Sequence, residues 1–335
     1  MPFRSGRRTV LTAAVASLAL LAAAPASAQD KVQIRMSTPA TETDQRSIAL
    51  AEIFAPAVAD FADYQPHYNA SLVAQGSELE TIATGDLEMS ITSAQELASF
   101  FPEFSIFATG YVHQDAAHQV AVFDDPLMEP FKQQVEDELG VKLLAVMYLG
   151  RRHVNLRQPR SELDVQTPAD LAGVNLRMPG TDAWQFLGRA LGANPTPVAF
   201  TEIYTALQTG SVDGQDNPLP TVVDSKFYEV TSQIALTSHL VDLNYIAFSK
   251  SVWDSLTPEQ QATVQEAATA AADSAREAQL RKEEELVAYL KDQGLEIYEP
   301  DLQTFREHVQ EQYVGSEFAA AWPEGMLEQI NALGN

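Results

Sequence analysis

Two arginines stand at the ends of two predicted strands in a chain that is otherwise strongly acidic. Arg152 follows the apolar run 141–149 and a glycine, and Arg177 lies in the segment NLRMPG, just before a proline and a glycine. In open α/β sheets, ligands bind in the crevice beyond the carboxyl ends of the strands. A guanidinium donates two parallel hydrogen bonds to one carboxylate and keeps its charge. We therefore predict a carboxylate site there, while the residues alone leave open that both arginines pair with neighbouring acids on the surface.

Three further side chains are candidates for the same site. Asn217 precedes Pro218 in the turn-rich segment DGQDNP, which keeps its backbone out of helical geometry and directs its amide toward a cleft. Phe200 and Trp184 lie in the segments between the arginines and this turn, where they can form the apolar sides of a ligand pocket. On the residues alone, an ordinary turn asparagine and two core aromatics remain the alternative.

No motif of an enzyme or of a metal site stands out. The sequence has no G-x-S-x-G, H-E-x-x-H, phosphate-binding loop or G-x-G-x-x-G pattern, and it has no cysteine. His113 and His118 are five residues apart, which does not place both on one face of a helix. Asp213 and Asp216 have the chemistry of an acid–base pair, but a pair of acids carries little information in a chain with 46 of them. We predict no catalytic residue, no metal site and no cofactor.

The first 28 residues have the form of a secretory signal peptide. A leader with Arg4, Arg7 and Arg8 precedes a short apolar stretch and an Ala-Ser-Ala cleavage site that ends at Ala28. Its removal takes away three arginines and no acids, so the net charge changes from −25 to −28. Such a charge disfavours nucleic acid and anionic membranes as partners. With no later run of 18 apolar residues, we predict a soluble exported protein of the bacterial periplasm.

The elements that must position these residues alternate between strands and helices. Residues 32–36 alternate apolar and polar side chains, and the chain then follows a β-α-β-α-β pattern, typical of a parallel sheet with crossover helices. A helix of about ten turns begins after Thr257, which forms a capping box with Gln260, and stops at Gly294. The length suggests two domains or lobes, so this helix is expected to span both.

The segment from Gly150 to Val230 closely resembles the solute-binding proteins of TRAP transporters, in the family of dicarboxylate and sialic acid receptors. The likeness is strongest at TALQTGSVDGQDNPL and at KFYEV, and it extends in order and length from Lys31 to about Tyr313. The resemblance implies a periplasmic receptor that captures a small organic acid and delivers it to the membrane subunits of a permease. It also implies two α/β lobes that enclose a cleft, with the long helix spanning both.

The resemblance also implies roles for individual positions. Arg177 matches the arginine that forms a two-point salt bridge with the ligand carboxylate, and Arg152 matches the other arginine of the pocket. Asn217 matches the pocket asparagine that holds the same carboxylate. Phe200 matches the aromatic that packs on the ligand, and His239 matches a position near the cleft.

The first lobe departs from the pattern of the sialic acid receptors. Thr92 and Ser93, which we expect to contact the ligand, stand where those receptors have a small residue followed by glutamate, which argues against sialic acid as the ligand. The loops that contain Thr41 and Glu78 are predicted to be pocket walls. Trp184 is expected to offer a flat apolar wall to a sugar ring or a compact acid.

These observations predict lobe I from residues 30–149 and 243–282, and lobe II from residues 150–242 and 283–330. The candidate ligands are a C4-dicarboxylate, a uronate or aldonate, a keto- or hydroxy-acid, or a sulfonate. The sequence leaves two alternatives to the transport receptor. One is an exported enzyme that acts on an acidic small molecule, and the other is a ligand-binding domain of a sensor.

Overall fold

The computed structural model describes residues 31–334, so the predicted signal peptide lies outside the described residues. This range contains nine strands: β1 (Val32–Ser37), β2 (Ala62–His67), β3 (Met89–Ser93), β4 (Val141–Leu156), β5 (Asn175–Met178), β6 (Asn194–Pro197), β7 (Gly214–Asn217), β8 (Gln233–Ser249) and β9 (Glu296–Tyr298).

Fourteen α-helices accompany the strands within the same range. They are α1 (Gln45–Ala49), α2 (Ala55–Val58), α3 (Glu78–Ala83), α4 (Ala94–Leu97), α5 (Ala116–Asp124), α6 (Glu129–Leu139), α7 (Asp182–Ala190), α8 (Ile203–Thr209), α9 (Leu219–Asp224), α10 (Lys250–Ser255), α11 (Pro258–Asp292), α12 (Leu302–Val314), α13 (Glu317–Ala321) and α14 (Met326–Leu333). A π-helical turn, Leu50–Phe54, joins α1 to α2, and 3₁₀ turns at Pro102–Ala108, Pro126–Met128, Pro168–Leu171, Phe200–Glu202 and Phe227–Glu229 join other elements. None of the described helices is both long and apolar enough to cross a membrane.

The strands form one mixed sheet in the order β2-β1-β3-β8-β4-β7-β5-β6, and β9 pairs with β8. β1 lies parallel to both β2 and β3, which confirms the β-α-β-α-β pattern predicted for the first third of the chain. β5 lies parallel to β6 and to β7 at the other end of the sheet. The protein therefore has the α/β architecture that the sequence predicts.

The long antiparallel strands β4 and β8 connect the two ends of this sheet. Their pairing shifts in register between Tyr148 and Gly150, near the middle of both strands. Gly150 has φ +131°, and a Cβ atom there would lie 2.6 Å from Cβ of Pro218 and 2.7 Å from Oε1 of Glu283. Only glycine meets both the backbone angle and the space at this position. The pairing of β4 with β8 thus shifts next to a glycine whose surrounding space is limited by Pro218 and by Glu283 of α11.

Helix α11 contributes to the cores of both lobes. Its 35 residues correspond to a length of about 52 Å. Alanines in its first half, among them Ala268 and Ala271, pack with Ile34 of β1 in one apolar cluster, whereas Leu290 near its end packs with Ile203 of α8 in another. The predicted capping box between Thr257 and Gln260 is present. The prediction of a lobe-spanning helix is confirmed.

The C-terminal helices divide between the two ends of the sheet. Phe305 of α12 packs in the cluster that contains Leu176 of β5. Phe318 of α13 and Ile330 of α14 pack instead with Phe104 and its neighbours, which belong to the lobe I part of the sequence. The boundaries of the lobes stay a prediction, and these contacts place the last two helices against the core of lobe I.

Candidate ligand-binding site

A cavity lies between the lobes. Six of the ten side chains predicted to contact a ligand line it: Arg152, Arg177, Trp184, Phe200 and Asn217 from the second lobe, and Ser93 from the first. Arg177 and Asn217 lie on the neighbouring parallel strands β5 and β7, and Arg152 lies on β4 beside β7. The register of the sheet therefore brings together residues that are 25 to 65 positions apart in the chain.

Arg177 is a buried cation with unused hydrogen-bonding capacity. Its side chain is only 1% exposed, and Nε donates to the carbonyl of Val198 at 2.8 Å. Nη2 is buried without a hydrogen-bond partner. Burial lowers the pKa of this guanidinium to about 9, with a further contribution from the charge of Arg152 against the opposing effect of Asp216. A buried guanidinium nitrogen without a partner beside a cavity is suited to an anion, because an unpaired buried charge is strongly unfavourable.

Arg152 differs from Arg177 because its charge is already balanced. Nε donates to Oδ2 of Asp242 at 2.6 Å, and Nη1 donates to the carbonyl and to Oδ1 of Asp216 at 2.7 and 3.3 Å. Burial alone would lower the pKa of Arg152, but the two carboxylates raise it. Its guanidinium carbon lies 4.4 Å from the centre of the Trp184 ring. The stacked, doubly paired Arg152 is thus held rigidly at the cavity wall.

The amide of Asn217 is oriented by a chain of amide side chains. Its Nδ2 donates to Oε1 of Gln215 at 2.5 Å, and Nε2 of Gln215 donates to Oδ1 of Asn155 at 2.9 Å. All three side chains are buried. These hydrogen bonds use one N–H of the Asn217 side-chain amide. The second N–H is left for a ligand, so Asn217 can add a donor beside Arg177.

Phe200 lies where the two lobes touch. Its ring packs edge-to-face on Phe227 with the ring centres 6.0 Å apart. Its backbone N–H donates to Oε1 of Gln75, a first-lobe residue that also lines the cavity, at 2.8 Å. Trp184 and Phe200 thus provide the apolar walls, and the Gln75 contact joins the lobes at the opening of the cavity.

Four predicted residues lie outside the cavity lining. His239 is fully buried behind it, where Nε2 bonds Oδ2 of Asp216 at 3.1 Å. Oγ1 of Thr92 donates to Oε2 of Glu96 at 3.1 Å, and Glu78 lies on α3. The hydroxyl of Thr41 bonds that of Thr43 at 3.0 Å near the surface. His239 and Thr92 therefore support residues of the site rather than line it.

Several lining residues were not predicted, among them Arg46, Gln75, Glu96, Asp242 and Asn244. Arg46 on α1 bonds the carboxylate of Asp44 at 2.8 and 2.9 Å and also donates to the side chain of Asn244. In the sequence it reads as an ordinary helix arginine with an acidic neighbour. Among residues 31–334, no group of acidic and histidine side chains has the arrangement of a metal site.

A pair of carboxyl groups, Glu78 and Glu96, forms part of the first lobe next to the cavity. Burial, together with a smaller effect of the neighbouring Glu96, raises the pKa of Glu78 to about 8. Burial raises the pKa of Glu96 as well. Oε2 of Glu96 accepts hydrogen bonds from the backbone N–H of Ser93 and the hydroxyl of Thr92, whereas Oε1 of Glu78 is buried without a partner. The hydrogen bonds to Oε2 of Glu96 favour its charged form, whereas burial outweighs the hydrogen bond that Oε2 of Glu78 accepts from the N–H of Gly76 at 2.6 Å.

Replacing Glu78 by glutamine is expected to remove a pH-dependent loss of stability. The pKa of Glu78 is about 8 in the folded protein against an ordinary value of 4.5, so the folded protein keeps a proton that the unfolded chain releases between these values. The wild-type free energy of unfolding therefore falls as the pH rises from 4.5 to 8. We expect E78Q to melt at a higher temperature than the wild type at pH 8, with the difference vanishing toward pH 4.5.

Thermal melts of both proteins across this pH range measure the effect. E80Q, an exposed change on the same helix, serves as the control for the loss of one acid. Parallel pH profiles for E78Q and the wild type would show that Glu78 is ionised in the folded protein.

The chain matches known proteins over most of its length. The family model for bacterial extracellular solute-binding protein, family 7, matches residues 61–319. The sialic acid-binding periplasmic protein of Vibrio cholerae is 30% identical over 235 residues, which are 70% of this chain and 72% of the relative.

Solved structures extend the similarity to the fold. A TRAP periplasmic solute-binding protein from Roseobacter denitrificans with bound 3-deoxy-D-manno-oct-2-ulosonic acid (KDO) is 81% identical, with a TM-score of 0.91 over 91% of this chain and 100% of that one. Another from the same organism, with bound L-galactonate, is 25% identical, with a TM-score of 0.80 over 91% and 99% of the two chains. The two-lobed fold predicted from the sequence is the fold of these receptors. The chain therefore belongs to the bacterial extracellular solute-binding proteins of family 7, the TRAP-transporter receptors that its motifs resemble.

Proposed function

We propose that this chain is a periplasmic receptor that binds a sugar acid of the KDO type for a TRAP transporter. The observation that carries the proposal is Arg177, a buried guanidinium at the interlobe cavity whose Nη2 has no partner. The 81% identical neighbour holds KDO and the 25% identical neighbour holds L-galactonate. Both ligands combine one carboxylate with several hydroxyls, which suits a cavity with one unpaired cation and many polar groups.

In the proposed complex the ligand carboxylate binds Arg177, with Arg152 and the free N–H of Asn217 completing its surroundings. Trp184 and Phe200 flank the carbon skeleton of the ligand. A carboxylate moved out of water is strongly unfavourable unless it is paired with good geometry. A guanidinium and an amide already fixed by β5, β7 and the Gln215 side chain meet that condition, which is compatible with a dissociation constant near micromolar, about −8 kcal/mol.

The cleft opens and closes in this proposal by movement of lobe I (30–149 and 243–282) against lobe II (150–242 and 283–330), except that helices α13 and α14 move with the core of lobe I on which they pack. The register shift beside Gly150 lies at this division, and the contact between Gln75 and Phe200 crosses it. A ligand that contacts both lobes stabilises the closed state in proportion to its preference for that state. The closed complex then delivers the ligand to the membrane subunits of the permease.

Residues 1–28 direct the chain to the periplasm and are removed in this proposal, and the mature protein acts by binding rather than by catalysis. The alternative, an exported enzyme acting on an acidic small molecule, predicts that the bound acid is converted. Mass spectrometry of KDO recovered after prolonged incubation with the protein distinguishes the two. Recovery of the unchanged acid supports the receptor, and a converted product would contradict it.

Isothermal titration of the mature chain with KDO tests the ligand. We expect micromolar or tighter binding of KDO and much weaker binding of sialic acid and of succinate. KDO at 100 times its dissociation constant should stabilise the fold by about 2.7 kcal/mol, which a thermal melt detects. Tight binding of succinate with none of KDO would contradict the proposal.

A further inference from the structure

The charges around the cavity are unevenly compensated. Arg46 is paired with Asp44 at 2.8 Å, and Arg152 is paired with Asp242 at 2.6 Å and with Asp216 at 3.3 Å. These two arginines therefore bring no net positive charge to a ligand. Their role is to donate hydrogen bonds from fixed positions.

Two charged residues of the lining have no opposite charge bonded to them. Arg177 forms no salt bridge among the described residues, and neither does Glu96. The cavity thus has one cation without a salt bridge on the second lobe, where the charge of Asp216 acts on Arg177 without a hydrogen bond, and one carboxyl group without a salt bridge on the first.

Glu96 lies where the cavity meets its opening. Glu96, Gln75 and Pro179 line the cavity, and the same three residues line the adjoining opening beside Gly180 and Thr181. Consider a ligand whose carboxylate binds Arg177 and whose carbon skeleton extends toward the opening. The end of that ligand remote from the carboxylate then lies next to Glu96.

The carboxylate of Glu96 has one oxygen left to accept a hydrogen bond. Oε2 accepts from the backbone N–H of Ser93 at 2.8 Å and from the hydroxyl of Thr92 at 3.1 Å. Oε1 accepts from no protein group within residues 31–334. Burial raises the pKa of the neighbouring Glu78 to about 8, so Glu78 keeps its proton at pH 7. The free Oε1 of Glu96 therefore suits a hydroxyl donor, and the two hydrogen bonds to Oε2 favour the ionised form, which opposes a second anionic group.

We propose that Glu96 determines specificity by charge, accepting a hydroxyl at the far end of a singly charged acid and excluding acids with a second negative group there. The inference rests on the proposed function and narrows its substrate class to monoanionic polyhydroxy acids. It excludes dicarboxylates and phosphorylated sugar acids, although both carry the carboxylate or phosphate that arginines bind. Glu96 thus repels acids with a second negative group, and this repulsion adds to the selectivity that comes from the attraction at Arg177.

The test compares KDO with its 8-phosphate ester, which differs at the end remote from the carboxylate. Isothermal titrations of the wild type and of Glu96→Gln with both compounds give four affinities. We expect the wild type to bind the 8-phosphate at least 100-fold more weakly than KDO. We expect the glutamine variant to narrow this ratio at least tenfold, because it removes the repulsion and keeps the size of the side chain.

Glutamine is suited to this experiment because it keeps the capping box of α4. Its amide oxygen accepts the Ser93 N–H as the carboxylate does, so the local fold is retained. Glu80→Gln, an exposed change in the same lobe, is the control for a loss of net charge and should leave the ratio unchanged.

The outcomes separate this inference from the proposed function. Failure of the wild type to bind KDO overturns the proposed function, and the role of Glu96 falls with it. Binding of KDO with equal affinity for its 8-phosphate, or an unchanged ratio in the glutamine variant, overturns the role of Glu96 alone. A ratio narrowed equally by the Glu80 control also overturns it.

Discussion

Replacing Arg177 by lysine is expected to weaken KDO binding at least tenfold, which corresponds to about 1.4 kcal/mol. Lysine keeps the positive charge but loses the planar arrangement of donors that binds a carboxylate at two points. It also loses the hydrogen bond from Nε to the Val198 carbonyl, which aligns the guanidinium in the wild type. A lysine ammonium in this buried position tends to lose its proton, because burial already lowers the pKa of the arginine to about 9.

Isothermal titration of R177K with KDO measures the effect, and a thermal melt without ligand verifies that the variant is folded. R189K, at the exposed end of helix α7, is the matched control and should bind as the wild type does. An R177K variant that is folded and binds KDO with wild-type affinity would show that the carboxylate is held elsewhere.

The two arginines that the sequence singles out have different roles. Both are buried at the cavity, so neither is the surface partner of an acid that the residues alone allowed. Yet Arg152 does pair with acids, Asp216 and Asp242, in the protein interior. Its salt bridges make Arg152 a rigid hydrogen-bond donor, whereas Arg177 forms no salt bridge and its free Nη2 can bind an anion.

The elements with strong local signals are the ones that the sequence predicts well. Helix α11 is predicted nearly residue for residue, because its capping box at Thr257 and the glycine after its end act within single turns. Strand β8, which runs through the centre of the sheet, was not predicted. Its alternation is hidden because residues 239–249 are buried on both faces, and a fully buried strand has no polar side to mark its period.

The residues of the site likewise fall into those that the sequence identifies and those that it does not. Arg152, Arg177 and Asn217 lie on adjacent strands of one lobe, so strand ends and family motifs identify them together. Arg46 and Glu96 come from the other lobe, and their place at the cavity depends on contacts such as Arg46 with Asn244, which is 198 residues away. Closure of one lobe on the other is a tertiary event that no local pattern in a single sequence records.

Replacing Asp216 by asparagine is expected to lower the free energy of unfolding by about 3 kcal/mol or more, as does removal of one partner from a buried charge network. Asp216 is fully buried, and its carboxylate bonds Arg152 at 3.3 Å and His239 at 3.1 Å. Burial alone would raise the pKa of Asp216, but the charge of Arg152 and the hydrogen bond from His239 hold it below the ordinary 3.8. Its contribution is therefore fully present above pH 3.8 and is lost as the pH falls further.

Urea unfolding of D216N and the wild type at pH 7 measures this loss, and D164N is the control. Asp164 is exposed and bonds Arg160 at 2.8 Å, so its removal should leave stability unchanged within error. Saturating KDO should recover part of the loss in D216N, because the ligand carboxylate supplies a negative charge next to Arg152 and Arg177 when Asp216 no longer does. Equal destabilisation of D216N with and without KDO would contradict this, since it would place the ligand charge too far from the two arginines to replace that of Asp216.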